Sequence, residues 1–160
     1  MKGKLIFLLT MMSQQAIGVQ GQDFASRFMH EVQKDTTIRC ETISPKMLET
    51  LVKTKEEEKE RTKSLISKLK SVRIINAPKR SVSYFQKAET LLENNKNRFQ
   101  EISEDRNDGT KKIFLRKKDD VILELVLLNL DSLQNKLTIV NLTGEMDNDF
   151  IQELSENEGL

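Results

Sequence analysis

The chain has 160 residues, with 26 Lys and Arg against 25 Asp and Glu, one His, one Cys and no Trp. This near-neutral balance gives no electrostatic case for a nucleic-acid partner. A single cysteine excludes an intramolecular disulfide.

In chain order, Lys2 and Lys4 precede the apolar run Leu5-Ile6-Phe7-Leu8-Leu9-Thr10-Met11-Met12, and small residues follow at Ala16, Gly18 and Gly21. A basic head, a short greasy segment and a small-residue exit form the pattern of a secretory signal peptide. The run falls short of the roughly 20 apolar residues that span a bilayer, and Ser13-Gln14-Gln15 breaks it. Residues 1–21 are therefore expected to be a signal peptide, cut after Gly18 or Gly21, and 22–160 a single α+β domain. Cleavage would remove Lys2 and Lys4 and leave 24 basic against 25 acidic residues, a formal charge of −1. With no cysteine at the junction and no second long apolar segment, the mature chain is expected to carry neither a lipid anchor nor a transmembrane segment.

Asp23 is placed to cap a helix running to about Lys34, because Phe24, Phe28 and Val32 recur four apart with Ala25 and Met29 beside them. A strand follows over Thr36–Ile43, with Ile38 and Cys40 on one face. Ser44-Pro45 opens the next helix, serine as cap and proline in the first turn, with Met47, Leu48, Leu51 and Val52 as its buried face. The charged run Lys53–Lys63 fits either an exposed helical extension or a connector. Leu65, Ile66 and Leu69 offer a short helical face, Val72, Ile74 and Ile75 a strand ending at Asn76-Ala77-Pro78. A third helix begins near Ser81 or Ser83, where Ser83 and Gln86 fit a capping box, with Tyr84, Phe85, Ala88, Leu91 and Leu92 as its stripe.

Beyond Asn94-Asn95 the hydrophobic period falls from 3.6 to 2. Phe99–Arg106 reads as a strand, Asn107-Asp108-Gly109 as a hairpin turn, and Lys111–Lys117 as a strand with Ile113 and Leu115 on one side. Lys118-Asp119-Asp120 turns the chain into Val121–Leu130, apolar on both faces apart from Glu124 and Asn129. A turn at Asp131–Asn135 leads to a last strand, Lys136–Thr143, closed by Thr143-Gly144, and a short helix over Asn148–Leu154 would face Phe150, Ile151 and Leu154 inward. The expected architecture is a two-layer α+β domain: a mainly antiparallel sheet, helices packed on one face, and a C-terminal β-meander. The two-sided apolar strand needs cover on its other face as well, from a long helix, a partner or a second copy.

Chemistry-bearing residues are sparse. Metal centres need converging soft or imidazole ligands, and His30 and Cys40 are the chain's only histidine and cysteine. No metal or cofactor site is expected, and Glu104–Gly109 lacks the spacing of a calcium loop. His30 with Cys40 is the one conceivable nucleophile–base pair. His30 is better read as a solvated ring beside the first helical stripe, and Cys40 as a small buried hydrophobe. Glu124, between Leu123 and Leu125, is the most interesting carboxylate. A buried acid needs a partner, and Lys112 or Arg116 of the neighbouring hairpin arm would supply it. Asn141-Leu142-Thr143 is formally a glycan acceptor, late in a strand.

Several segments resemble one bacterial family. Ile43-Ser44-Pro45-Lys46-Met47-Leu48, the passage from Leu65 and Leu69 into Val72-Arg73-Ile74-Ile75, Lys111–Arg116 after Asn107-Asp108-Gly109, Ile122–Val126, and Leu142-Thr143-Gly144-Glu145-Met146-Asp147 are similar to domain-of-unknown-function family 4252, envelope proteins found mainly in the Bacteroidota. The likeness covers about Phe24 to Leu154. It implies an exported, small, single-domain protein of the Gram-negative envelope, periplasmic or extracellular, and brings no catalytic residue with it. Many relatives look like lipoproteins, and this chain departs from them in lacking the leader cysteine. The expected function is a non-enzymatic interaction or binding domain with an envelope protein partner or a second copy of itself. The alternatives are a small hydrolase, with Glu124, His30 or Cys40 in a pocket, or an apolar small-ligand carrier.

Overall fold

The computed structural model describes residues 22–51, 59–102 and 110–156. Residues 1–21, residues 53–58 of the charged run and the stretch expected to turn at Asn107-Asp108-Gly109 lie outside them, as do the side chains of Leu51, Val52 and Leu154.

Helix α1 (Phe24–Glu31) starts as its sequence dictates, the Asp23 side chain accepting from the Ser26 N–H at 2.8 Å. It stops three residues short of Lys34 because Val32–Ile38 turns, held by the Asp35 carboxylate on the Thr37 N–H and hydroxyl. That Asx turn delays strand β1 to Arg39–Ile43. Helix α2 (Pro45–Leu51) begins at Ser44-Pro45, with the Ser44 Oγ on the Met47 N–H. Met47, expected inside, is 53% exposed, and Leu48 carries the packing on that helix instead. Helix α3 (Lys59–Ser67) follows, then strand β2 (Leu69–Ala77), so Leu69 belongs to the strand and not to a helical face.

Helix α4 (Ser81–Glu93) starts at Ser81. The Ser83–Gln86 capping box is unused, and Arg80 takes the cap position at φ 53° without a side-chain cap bond. Ser81 is fixed by Asn135, whose Oδ1 accepts from its hydroxyl at 2.6 Å. The expected stripe is in place, Tyr84, Phe85, Ala88 and Leu92 being buried and Leu91 packed at the margin.

Of the strand expected over Phe99–Arg106 only β3 (Gln100–Glu101) forms within the described residues. The meander β4 (Lys111–Lys118), β5 (Val121–Asp131) and β6 (Lys136–Met146) is as the alternation requires, and α5 (Asn148–Glu156) closes the chain. The β4–β5 turn uses Asp119 at φ 55°, a left-handed position that aspartate tolerates. The six strands lie in the order β1-β2-β6-β5-β4-β3, every neighbouring pair antiparallel.

The protein is α+β with an antiparallel sheet, but its helices are not confined to one face. The first face carries Ile75, Val126, Leu128, Leu137 and Ile139, covered by α1 and α4. The second carries Val72, Leu115, Leu125, Leu127 and Leu142, covered by Leu48 of α2, Leu65 of α3, and Phe150 and Ile151 of α5. A strand apolar on both sides must be buried on both, so the cover β5 demands comes from helices of its own chain. A register shift between Ile122 and Glu124 inverts the alternation locally. It places Ile122 with Leu125 on the second face while Glu124 stays on the first with Val126.

Gly144 runs in β6 beside the start of β2, where Glu145 donates to the Lys68 carbonyl at 2.9 Å. A Cβ at Gly144 would sit 2.2 Å from that carbonyl oxygen, so the β6 backbone can approach there only without a side chain.

Candidate functional site

The strongest polar constellation is built on the first face where α1 begins. Glu124 is 0% exposed and Asn141 1%. The sheet register brings them together: Arg116 lies directly across from Glu124 on β4, and Asn141 across from Val126 on β6. Glu124 Oε1 accepts from the Phe24 N–H at 2.6 Å and from Asn141 Nδ2 at 3.0 Å, and Oε2 accepts from Arg116 Nε at 2.9 Å. Asn141 Oδ1 accepts from the Ala25 N–H at 2.9 Å, and its Nδ2 also donates to the Leu125 carbonyl at 3.2 Å. With Asp23 on Ser26, three successive first-turn N–H groups of α1 are satisfied by side chains, two of them reaching up from the sheet. A carboxylate at a helix N-terminus is also favoured by the helix dipole.

An outer ring of charge supports this clamp. Arg73 Nη1 donates to Asp23 Oδ1 at 2.8 Å and to the Ser26 hydroxyl at 2.5 Å, and its Nη2 donates to the Cys40 sulfur at 3.5 Å. Burial alone would raise the Asp23 carboxyl, but hydrogen bonds from Ser26 and Arg73 outweigh it and hold the group below its ordinary range. Burial likewise opposes the Arg73 charge, and Asp23 more than restores it. Arg27 lies 5.8 Å from the Phe99 ring centroid, and burial lowers its affinity for the proton. Beside these residues an open depression of about 490 Å³ is lined by Asp23, Ser26, Lys70, Arg116 and Thr143. Glu124 is not in its lining.

The three candidate residues are not brought into one site. Glu124 is paired with Arg116 as expected, but Lys112 turns elsewhere, onto Glu89 at 2.5 Å. His30 is exposed on α1. Cys40 is half-buried against the first-face core with Ile38, its sulfur on Arg73. The glycan acceptor Asn141 is buried with its amide fully engaged. Sequence reasoning passed over Asn141 as a clamp residue and did not foresee that Glu124 serves a helix start 100 positions earlier. The legible signal was two polar residues inside otherwise apolar strands. Among the described residues no group of three His, Cys, Asp or Glu side chains is placed to hold a metal ion, and no helix is long and apolar enough to cross a membrane.

A second open depression, of about 520 Å³, lies at the other end of α1, between the turn after that helix and the start of α4. At its floor the Tyr84 hydroxyl donates to Asp35 Oδ2 at 2.5 Å. Hydrogen bonds from Thr37 and Tyr84 hold the Asp35 carboxyl at about 2, and the same bond to Asp35 raises the Tyr84 phenol.

A family model described as domain of unknown function (DUF4252) matches residues 33–154. No curated protein and no solved structure matches the chain. The matched span includes Glu124, Asn141 and Arg116 but stops short of α1, so the receptor for the helix start lies inside the family region and the helix outside it.

Proposed function

The chain belongs to the DUF4252 family, and from that premise we propose that it is an exported domain of the bacterial envelope that works by non-covalent recognition rather than by catalysis. The observation that carries this reading is the saturation of Glu124. General acid–base work needs a carboxyl that can reach a substrate and exchange a proton with it. Glu124 is 0% exposed, both oxygens are occupied, and its donors are a backbone N–H, an amide and a guanidinium that the fold itself requires. His30 and Cys40 lie away from it in different settings. Both depressions are open to solvent and carry charged lining, which suits the docking of a polar group better than the enclosure of an apolar ligand. Export is supported by the basic head, apolar run and small-residue exit of residues 1–21.

The test uses protein purified from its host. N-terminal sequencing should find a chain starting at Val19 or Gln22, and cross-linked capture from intact cells should return the same envelope partner in replicate preparations. A soluble cytoplasmic product that retains Met1–Thr10 would overturn export. Hydrolase turnover that disappears in Glu124→Gln, with the variant still folded, would overturn the recognition reading.

A further inference from the structure

The depression between the turn after α1 and the start of α4 has an uneven charge. Lys34 borders it on one side and Lys79, Arg80 and Lys87 on the other, while Glu31 and Asp35 are its only acids among the described residues. Four cations against two anions leave a local formal charge of +2, in a domain whose mature sequence sums to −1.

Three of these four cations are also unspent, while the Arg80 charge already acts on Asp35 and Tyr84. Among the described residues Lys34, Lys79 and Lys87 take part in no ion pair, whereas Lys68, Arg73, Lys112 and Arg116 are each held by a carboxylate. No lysine of the depression is paired with Asp35. Asp35 accepts from the Thr37 N–H at 2.9 Å, the Thr37 hydroxyl at 2.6 Å and the Tyr84 hydroxyl at 2.5 Å, so its oxygens are engaged by neutral donors while its charge stays in the sum.

The frame around the charges is fixed by the same bonds. Tyr84, 8% exposed, anchors the post-α1 turn to α4, and Asn135 anchors the start of α4 through Ser81. A positive rim on a braced concave backbone suits an anion, because little loop ordering remains to be done on binding and only the exposed cationic side chains must order. Several lysines lining one depression suit a compact multivalent oxyanion, which lysine meets as a point charge.

We propose that this depression binds a phosphate ester, with Lys34, Lys79 and Lys87 and the Arg80 guanidinium as the cationic rim. Its size accommodates a phosphorylated group of about monosaccharide dimensions, at the lower end of the roughly 300–1,000 Å³ common for ligand sites. The proposal rests on the recognition reading and names its ligand class. It does not depend on export.

The experiment titrates the full chain, purified from its host, with glucose 6-phosphate and with glucose as the uncharged control, following backbone amide shifts by NMR and affinity by calorimetry. A parallel arm measures co-sedimentation with phosphatidylcholine vesicles with and without phosphatidic acid. The phosphate ester should shift the amides of residues 34–37 and 79–87, and glucose should not. The double variant Lys79→Ala/Lys87→Ala should weaken binding about tenfold or more, the scale of losing charged hydrogen bonds, with an unchanged melting temperature. Lys117→Ala/Lys118→Ala, which removes two exposed lysines of β4 outside the depression, should bind as the parent does. Binding of the soluble ester assigns the site to free phosphate esters. Binding of phosphatidic acid vesicles alone, with the same dependence on Lys79 and Lys87, assigns it to a lipid headgroup. Absence of binding in both arms, or equal losses in the two double variants, would overturn the proposal and leave the capture result standing.

Discussion

On the first face of the sheet Phe24, Phe28, Tyr84, Phe85 and Leu92 are all at most 8% exposed, whereas on the second Ile43, Ile74, Ile113 and Val140 are only half-buried. The first face is covered by α1 and α4, with Phe28 stacked on Phe24 at 6.0 Å and edge-on to Tyr84 at 6.5 Å. A buried polar clamp then fixes where α1 starts. The second face is covered by three short helices, rimmed by ion pairs such as Lys68–Asp147 and Arg61–Glu153. Solvent-facing pairs such as Lys68–Asp147 contribute little, about 0–1 kcal/mol each. One face is thus specified by packing and directional bonds, the other mainly by burial.

The sharpest way to break that contrast is to remove the clamp. Glu124→Ala leaves the Phe24 N–H, the Asn141 amide and the Arg116 guanidinium without their acceptor. Breaking one partner of a buried ion pair costs about 3–5 kcal/mol, read by urea denaturation. Glu124→Gln keeps an oxygen for the helix start and should lose distinctly less. Equal losses in the two variants would mean that the site depends on the carboxylate's charge facing Arg116 and not on an acceptor oxygen at the helix start.

A matched pair of truncations compares the faces directly on one strand. Leu128, 0% exposed, points to the first face, and Leu125, 3% exposed, to the second. Leu-to-Ala losses depend on how far the surroundings can relax into the cavity. Leu128→Ala should cost about 3–5 kcal/mol and Leu125→Ala about 2–3 kcal/mol, because the looser second face can close in. A reversed order in chemical denaturation would show the second face to be the tighter one. Gly144→Ala tests the junction of β2 with β6. The added methyl meets the Lys68 carbonyl, a backbone atom that cannot rotate away, and overpacking of this kind costs about 1–3 kcal/mol. A neutral result would mean that β6 can shift there freely.

The sequence was informative where local chemistry decides the structure. Asp23 and Ser44-Pro45 start their helices, the Tyr84–Leu92 stripe is buried, and the alternation after Lys111 yields the meander, because capping and period are properties of a few adjacent residues. It was silent where the deciding partner is remote. A helical stripe says that one side is buried but not on which face of a sheet, so the division of helices between the two faces could not be read. Glu124 was visible as a buried acid and Arg116 as its neighbour, since cross-strand hairpin partners are local. The Phe24 N–H is not, and Asn141 drew notice only as a formal glycan acceptor. Capping motifs also mislead when a tertiary anchor competes: Asn135 holds Ser81, and α4 begins there and not at Ser83. Met47 follows the same rule, since an apolar residue on a helix of about two turns is buried only if something stands opposite it.

The smallest expected effect lies at the first face's margin, where Tyr84 joins its ring to the core and its hydroxyl to Asp35. The Asp35 carboxyl titrates at about 2 against an ordinary 3.8, lowered by hydrogen bonds from Thr37 and Tyr84. A carboxyl with a depressed folded-state value binds its proton more weakly when folded than when unfolded. Its stabilising contribution is therefore complete above about pH 4 and disappears as the pH falls through about 2. Tyr84→Phe keeps the ring and removes one donor, so Asp35 should move back towards its ordinary value. Melting temperatures measured from pH 7 to pH 2 should show the variant below the parent at neutral pH and the two curves converging in acid, with the gap closing between about pH 4 and pH 2. A gap of constant size across that range would place the loss in ring packing. It would detach the Tyr84–Asp35 bond from the stability of the first face while leaving the packing contrast between the faces intact.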